Sequence, residues 1–367
     1  MSYPLPTKMH AVLLNGLGGL EQLEYRTDVP VPQPGAGEVL IQVRASAVNN
    51  TDINTRIGWY SKSISSDTAS GGATGFDSVN SDDSSWSGTA LKFPRIQGAD
   101  CCGYVVAVGQ GVAASRIGER VIVSNLLRTY VDYRPYECWT FGSECDGGFA
   151  QFAVAPSKET IKVECDWTDA ELASLPCAYS TAENMLHRLK LGTEVVLITG
   201  ASGGVGSAAV QLAKRRGAVV IAQCSAAKAS EVKALGADRV IDRKADLLSV
   251  LGENSVDVVV DVVGGEDWPD LLRVLRLGGR YAIAGAIAGP MAEIDLRTLY
   301  LKDLTLYGCT FQDDEVFTNL ISYVESGEIR PVVAKTYPLN EIHQAQEDFL
   351  SKAHMGKLVL IIPEVNQ

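Results

Sequence analysis

A chain of 367 residues with 46% hydrophobic and 21% charged side chains has the length for two folded domains and the composition of a globular protein. Its net charge of −12 excludes nucleic acid and anionic membrane surfaces as partners, because their phosphates would be repelled. An anionic cofactor stays open wherever cations gather locally.

Met1–Ala11 contains Pro4, Pro6 and Lys8 and lacks the apolar core of a signal peptide. No later run reaches the roughly 18 apolar residues of a membrane span, so a cytoplasmic protein is expected. Val39–Val43, Tyr104–Val108, Arg120–Val123 and Gln151–Val154 are short β-branched runs between Pro- and Gly-rich turns, which predicts a β-rich domain over 1–165. Within it, residues 61–90 hold ten serines, four glycines and four aspartates. Such a stretch buries too little apolar area to become a regular element. A loop or lid is predicted, with Phe76 and Trp86 as its only large anchors.

From about residue 168 strands and helices alternate. Val195–Thr199, Ala218–Ala222, Arg239–Asp242, Val256–Asp261, Arg280–Ala284 and Leu304–Cys309 read as strands, with helices over Ser207–Arg216 and Trp268–Leu277. Alternation of this kind predicts an α/β, doubly wound parallel sheet over 166–311. Residues 312–367 add a helix (Val316–Ser326), a strand near Val332–Lys335, a helix (Leu339–Ser351) and a strand (Lys357–Ile362). This tail is expected to rejoin the first domain, with the active site in the cleft between domains.

Cysteines stand at 101, 102, 138, 145, 165, 177, 224 and 309, with no Cys-x-x-Cys pair. They read as reduced thiols. Cys138 and Cys145 are the pair to watch for redox chemistry. The adjacent Cys101 and Cys102 make a poor thiol switch, since their disulfide ring would be strained.

The most informative segment is Gly200-Ala201-Ser202-Gly203-Gly204-Val205-Gly206. A glycine-rich turn between strand and helix lets backbone N–H groups approach a pyrophosphate at the positive end of the helix. Gly203 and Gly206 fit the close-approach and close-packing positions, and Ala201 replaces the first glycine. Where an NAD-binding fold places an acid for the ribose 2′-OH, this chain reads Gln223-Cys224-Ser225, with Lys228 three residues on and Arg243 after the third strand. Lys228 alone would equally be a solvated lysine at a helix start. The missing acid together with two cations points to a 2′-phosphate, and so to NADP(H).

Gly147-Gly-Phe-Ala-Gln-Phe152, Leu235-Gly-Ala-Asp238, Gly356-Lys-Leu-Val-Leu360 and Asn49-Asn-Thr-Asp-Ile-Asn-Thr-Arg-Ile-Gly-Trp-Tyr60 resemble strings of the medium-chain dehydrogenase/reductase family, the last of them its quinone-oxidoreductase branch. The resemblance implies a GroES-like catalytic domain, a Rossmann domain, and a homodimer or homotetramer. In the family's zinc alcohol dehydrogenases the catalytic metal is held by a cysteine, a Gly-His-Glu string and a later cysteine. Here those positions read Asn49, Gly98-Ala99-Asp100 and Cys177, and the four cysteines of the structural zinc lobe are missing. No zinc is expected, since an amide is a poor zinc ligand; an atypical set such as Asp52, Asp100 and Cys177 is the alternative. Without a metal to generate an alkoxide, the favoured reaction is hydride transfer from NADPH to an α,β-unsaturated carbonyl or a quinone. The negative charge then forming on oxygen can be met by hydrogen-bond donors.

The candidate catalytic residues are four. Asn49 could donate its amide to the substrate oxygen or the nicotinamide ribose, or simply stabilise a turn. Tyr60 could donate its phenol to an enolate oxygen. Asp52 reads as an orienting acid. Thr181 matches a threonine that lies beside the nicotinamide in relatives. Asn54 stands where some quinone-reducing relatives carry a tyrosine. Two other readings remain: an alcohol or carbonyl dehydrogenase with an unusual metal site, and a non-catalytic NADPH-binding module.

Overall fold

The structure, a computed structural model, describes residues 5–365, so the opening segment is covered only from Leu5. The chain divides into two compact units. The first comprises Met1–Ile64, Gly71–Cys177 and Val333–Gln367, and the second Ser65–Ser70 and Ala178–Val332.

The first unit is β-rich and GroES-like. Its main sheet runs in the order Thr160–Lys162, Arg120–Val123, Cys102–Val108, Glu38–Ala47, Lys357–Ile361, Val333–Pro338, with Phe152–Pro156 also paired to Glu38–Ala47. A second sheet orders Leu23–Pro30, Lys8–Leu14 and Arg95–Ile96. Apolar side chains such as Leu14, Leu40, Ile41, Phe141, Phe149, Phe152 and Leu360 are buried in its core. The C-terminal strand does rejoin this unit. It runs antiparallel to the central strand, with Val359 opposite Ala47 and Ile361 opposite Ala45.

The second unit is a six-stranded sheet in the order Arg239–Asp242, Val219–Cys224, Val195–Ile198, Val256–Asp261, Leu275–Ile283, Thr305–Gly308. Every pair is parallel. Sequence order therefore runs outward in both directions from Val195–Ile198, the doubly wound arrangement, and the chain reverses beside that strand. Ligands of such sheets bind beyond the carboxyl ends of the strands at this switch point.

Three local differences from the sequence reading have physical causes. The units change at 177/178 and 332/333, not at 165/166 and 311/312, so the helix Asp314–Glu325 belongs to the second unit. It buries Val316, Phe317, Leu320, Ile321 and Val324, and the Arg215 guanidinium lies over its Tyr323 ring. No change of composition marks either boundary. The helix read as Trp268–Leu277 stops at Val274, because Leu275 already pairs with Val256 at an irregularity in the ladder. The helix read from Ser207 starts at Gly204: glycines assigned to the turn form its first residues.

The serine-rich segment is ordered. It holds a short helix, Thr68–Gly72, and a 3-10 turn, Ser81–Asp83. Its hydroxyls replace the missing secondary structure as backbone partners. Ser63 Oγ donates to Ser78 O and accepts from Asn80 N, Asp67 accepts from Ser70 N, and Ser85 Oγ accepts from Thr89 N. Ile64 is buried and adds an anchor beside the half-buried Phe76 and Trp86.

Candidate active site

In the second unit the glycine-rich turn leaves the carboxyl end of Val195–Ile198 and becomes the N-terminus of the twelve-residue helix Gly204–Arg215. Gly206 lies in the first turn of that helix: a Cβ there would stand 2.2 Å from Gly200 O and 2.6 Å from Ala201 Cα. Close packing of helix on strand requires glycine at that position. Gly203 differs, since a Cβ would meet only Gly200 O, at 3.5 Å. Apart from that contact the position is open. Beneath the switch point, buried Asp261 accepts from Thr199 Oγ1 and Tyr281 OH, both at 2.6 Å, and from Val263 N at 2.9 Å. These bonds join the carboxyl ends of the central strands.

Ser225 begins the turn that follows Val219–Cys224, and Lys228 ends it. Arg243 N donates to Cys224 O (2.8 Å), which brings the third strand's exit beside the second's. Burial, then the neighbouring Arg243 charge, lowers the Lys228 pKa. Two cations thus share the place where a ribose-binding acid would stand. If Lys228 contacts a 2′-phosphate, Lys228→Ala should weaken NADPH binding by about 1–3 kcal/mol, while NADH changes far less. Titration of both dinucleotides checks this, and equal losses would remove Lys228 from the phosphate site.

In the first unit three strand ends converge. Asn49 stands just past the central strand and caps the helix Asn50–Ile57. Lys357 begins the C-terminal strand, and Asp100 precedes Cys102–Val108. Both neighbours run antiparallel to the central strand. Extending the register of Val359 with Ala47 sets Lys357 opposite Asn49. The Lys357 ammonium donates to Asn49 Oδ1 and, at 3.1 Å, to Asp100 Oδ2. Asn49 Nδ2 donates to Asp100 Oδ2 (2.8 Å) and Ala47 O (3.1 Å). Asp100 Oδ1 accepts from Cys177 N at 2.7 Å. Lys357 is 3% exposed and Asp100 fully buried.

Asp52 accepts from the backbone N–H groups of Asn49 (2.7 Å), Gly98 (3.2 Å) and Ala99 (3.2 Å). Burial pushes its pKa up to about 7, with the Asp100 charge adding to the rise. Tyr60 is half-buried and donates to Thr51 Oγ1 at 2.9 Å; burial raises its pKa, so the phenol keeps its proton. Asn49, Asp52 and Tyr60 therefore belong to the first unit. Thr181, on the helix Pro176–Arg188, belongs to the second. Both amide hydrogens of Asn49 are on protein acceptors, so in this arrangement the side chain holds its neighbours together.

Sequence reasoning missed Lys357 as part of this cluster. A charge opening the otherwise apolar strand Lys357-Leu-Val-Leu-Ile was the available signal, because a buried lysine needs a partner.

Residues 35–165 match the alcohol dehydrogenase GroES-like domain, and 204–326 match the zinc-binding dehydrogenase domain. A crystal structure of a putative alcohol dehydrogenase from Sinorhizobium meliloti 1021 shares 44% identity over 98% of both chains, with a TM-score of 0.87. The chain belongs to the medium-chain dehydrogenase/reductase family. Rat quinone oxidoreductase is 28% identical over 96% of this chain and 98% of its own. Acryloyl-coenzyme A reductase of Metallosphaera sedula is also 28% identical, over 91% and 95%. These relatives place this medium-chain dehydrogenase/reductase in the quinone-oxidoreductase-like branch and make it an oxidoreductase.

The donor atoms at this oxidoreductase's first-unit cluster are largely engaged by other partners. Asn49 offers an amide oxygen already bonded to an ammonium. Both Asp52 oxygens are taken by backbone N–H groups. Burial raises the Cys177 thiol pKa, and the Asp100 charge raises it further. Among the described residues no three His, Cys, Asp or Glu side chains are grouped to hold a metal ion. The eight cysteines are free thiols, and burial raises the pKa of both Cys138 and Cys145 to about 12, away from reactive thiolate chemistry. No helix among the described residues is long and apolar enough to cross a membrane.

Proposed function

We propose that this oxidoreductase reduces an α,β-unsaturated carbonyl or a quinone with NADPH as hydride source and without a catalytic metal. The observation that carries the reading is the hydrogen-bonded Lys357–Asn49–Asp100 cluster at the strand ends where the family's zinc members place a metal. An alcohol is a poor substrate without a metal to favour its alkoxide. A conjugated acceptor carbon is already electrophilic, and only the charge forming on oxygen needs a donor.

NADPH, when bound, supplies the hydride. The glycine-rich turn and the N-terminus of Gly204–Arg215 would hold its pyrophosphate, and Ser225, Lys228 and Arg243 its 2′-phosphate. Thr181 is assigned to the nicotinamide end. Tyr60, paired with Thr51, is the candidate proton source for the reduced acceptor. Asp52 orders the helix start that carries Asn49 and Thr51.

NADPH oxidation by the purified protein against enones, enals, quinones and aldehydes, with NADH alongside, tests the reading. Turnover of enones or enals makes the protein a double-bond reductase, and turnover of quinones alone makes it a quinone reductase. Metal-dependent oxidation of alcohols, with silence on both other classes, would sink the proposal.

The serine-rich segment follows Tyr60 directly and is proposed to shape the acceptor pocket. Gly72 O accepts from the buried Arg56, so a trimmed variant must keep 71–76. Replacing 77–88 by a short Gly-Ser bridge should change the acceptor KM much more than NADPH affinity. Equal effects on both would overturn this role.

A further inference from the structure

We infer that residues 65–70 of the serine-rich segment work as part of the cofactor site: through Thr68 they brace the loop that follows Leu275–Ile283, and NADPH binding and docking of this segment reinforce each other. The inference rests on the NADPH reading of the second unit.

The chain leaves the first unit after Ile64 and returns to it at Gly71, and the residues between belong to the second unit. Both ends of this excursion are fixed in the first unit: Ile64 is buried, and Gly72 O accepts from Arg56. Ser65, Ser66, Ala69 and Ser70 are exposed, whereas Thr68 is 3% exposed. Thr68 opens the helix Thr68–Gly72, so its N–H finds no acceptor within that helix. It donates instead to Ile287 O, at 3.3 Å. Asp67 fixes the approach to this contact, accepting from Ser70 N at 2.9 Å and from Ser70 Oγ at 2.7 Å.

Ile287 lies beyond the carboxyl end of Leu275–Ile283, on the side of the sheet where ligands bind. Ala288 N donates to Val263 O at 2.9 Å, and a Cβ on Gly264 would stand 3.1 Å from Ala286 Cα. The loop is therefore packed backbone to backbone on the one after Val256–Asp261. That second loop is tied down in turn. Asp261 accepts from Val263 N and from Thr199 Oγ1. Methyl groups of Val262 and Val263 would lie 3.0 and 3.1 Å from a Cβ on Gly200, the first residue of the glycine-rich turn. A continuous run of contacts thus leads from Thr68 to that turn. A dinucleotide that orders the turn and these loops lowers the entropic cost of seating 65–70. A seated segment lowers the cost of binding the dinucleotide by the same factor.

The test is amide hydrogen exchange on the full-length protein with and without NADPH, together with NADPH titration of Thr68→Ala and Thr68→Pro. Both variants lose the hydroxyl, but only proline loses the N–H, and the first helical position accepts proline. Near-ultraviolet circular dichroism confirms their fold. In wild type, NADPH should slow exchange in 65–72 as well as in 262–265 and 284–289. A purely structural role would alter the melting of T68P without this NADPH-dependent protection of 65–72. T68P should bind NADPH about 3- to 10-fold more weakly than T68A, the range for one hydrogen bond. Protection of the glycine-rich turn with exchange in 65–72 unchanged would overturn the inference, and so would a folded T68P that binds as tightly as T68A. Wild type that binds no NADPH, and shows no protection anywhere, would overturn the cofactor reading and this inference with it.

Discussion

Gly206→Ala should lower NADPH affinity about 100-fold, or close to 3 kcal/mol. The added methyl would stand 2.2 Å from Gly200 O and 2.6 Å from Ala201 Cα. Both atoms are backbone, so no side chain can rotate away. The turn must shift, at a cost of about 1–3 kcal/mol in folding, and its N–H groups then lose alignment with the pyrophosphate, each such bond to a charged group contributing roughly 1.5–3 kcal/mol. Gly203→Ala provides the contrast. Its methyl meets only Gly200 O at 3.5 Å, so it should cost less than about 1 kcal/mol in stability while obstructing the pyrophosphate itself. Thermal melts and NADPH fluorescence titration separate the two cases. G206A with unchanged affinity would refute the assignment of this turn to the cofactor, and so would G203A.

Arg56→Met should destabilise the protein by about 3–5 kcal/mol. Arg56 is fully buried, and burial pushes its guanidinium down to about 10. Among the described residues its hydrogen bonds go to neutral oxygens, while the Glu21 charge opposes the fall. Its Nε donates to Gln346 Oε1 (2.9 Å), and its two terminal nitrogens donate to Gly18 O (2.8 Å) and Gly72 O (2.6 Å). One side chain therefore joins the helix Asn50–Ile57 to the Gly18 loop, the serine-rich segment and the helix Ile342–Ser351. Methionine fills much of the volume but leaves three acceptors without a donor. Lysine restores the charge but not the three-way fork, so Arg56→Lys should recover only part of the loss. Differential scanning calorimetry, with limited proteolysis directed at 65–76, reads both effects. A melting temperature within about 1 °C of wild type, which corresponds to roughly 1 kcal/mol for a protein of this size, would refute the prediction.

Much of the second unit was legible because its signals are local. Val195–Ile198, Val256–Asp261 and Arg239–Asp242 are apolar runs bounded by turn residues, and strand–helix alternation leaves a parallel, right-handed winding as the main solution. The Gly200–Gly206 turn carries its own backbone requirements. The Lys228–Arg243 pairing needed only the adjacency of parallel strands two and three. In the first unit, alternation located the strands but not their order. The serines of 61–90 looked like solvent-facing filler because composition does not reveal which hydroxyls meet backbone groups. Asn80-x-Asp82 and Asp67-x-x-Ser70 were the local turn signals that could have shown an ordered segment.

The sequence by itself determined the two architectures, the glycine-rich turn between strand and helix, the lack of an acid at Gln223–Ser225 and the departure from the usual zinc ligands at Asn49 and Ala99. Each is a property of residue type at a short spacing, and short spacings set backbone dihedrals and burial period. The tertiary structure alone decided what meets Asn49. Lys357 and Asn49 are 308 residues apart and meet because Val359 pairs with Ala47. A slip of one residue in that register would turn Lys357 to the opposite face of the sheet. Such a meeting depends on which strands become neighbours and in what register, and no local pattern along the chain encodes it.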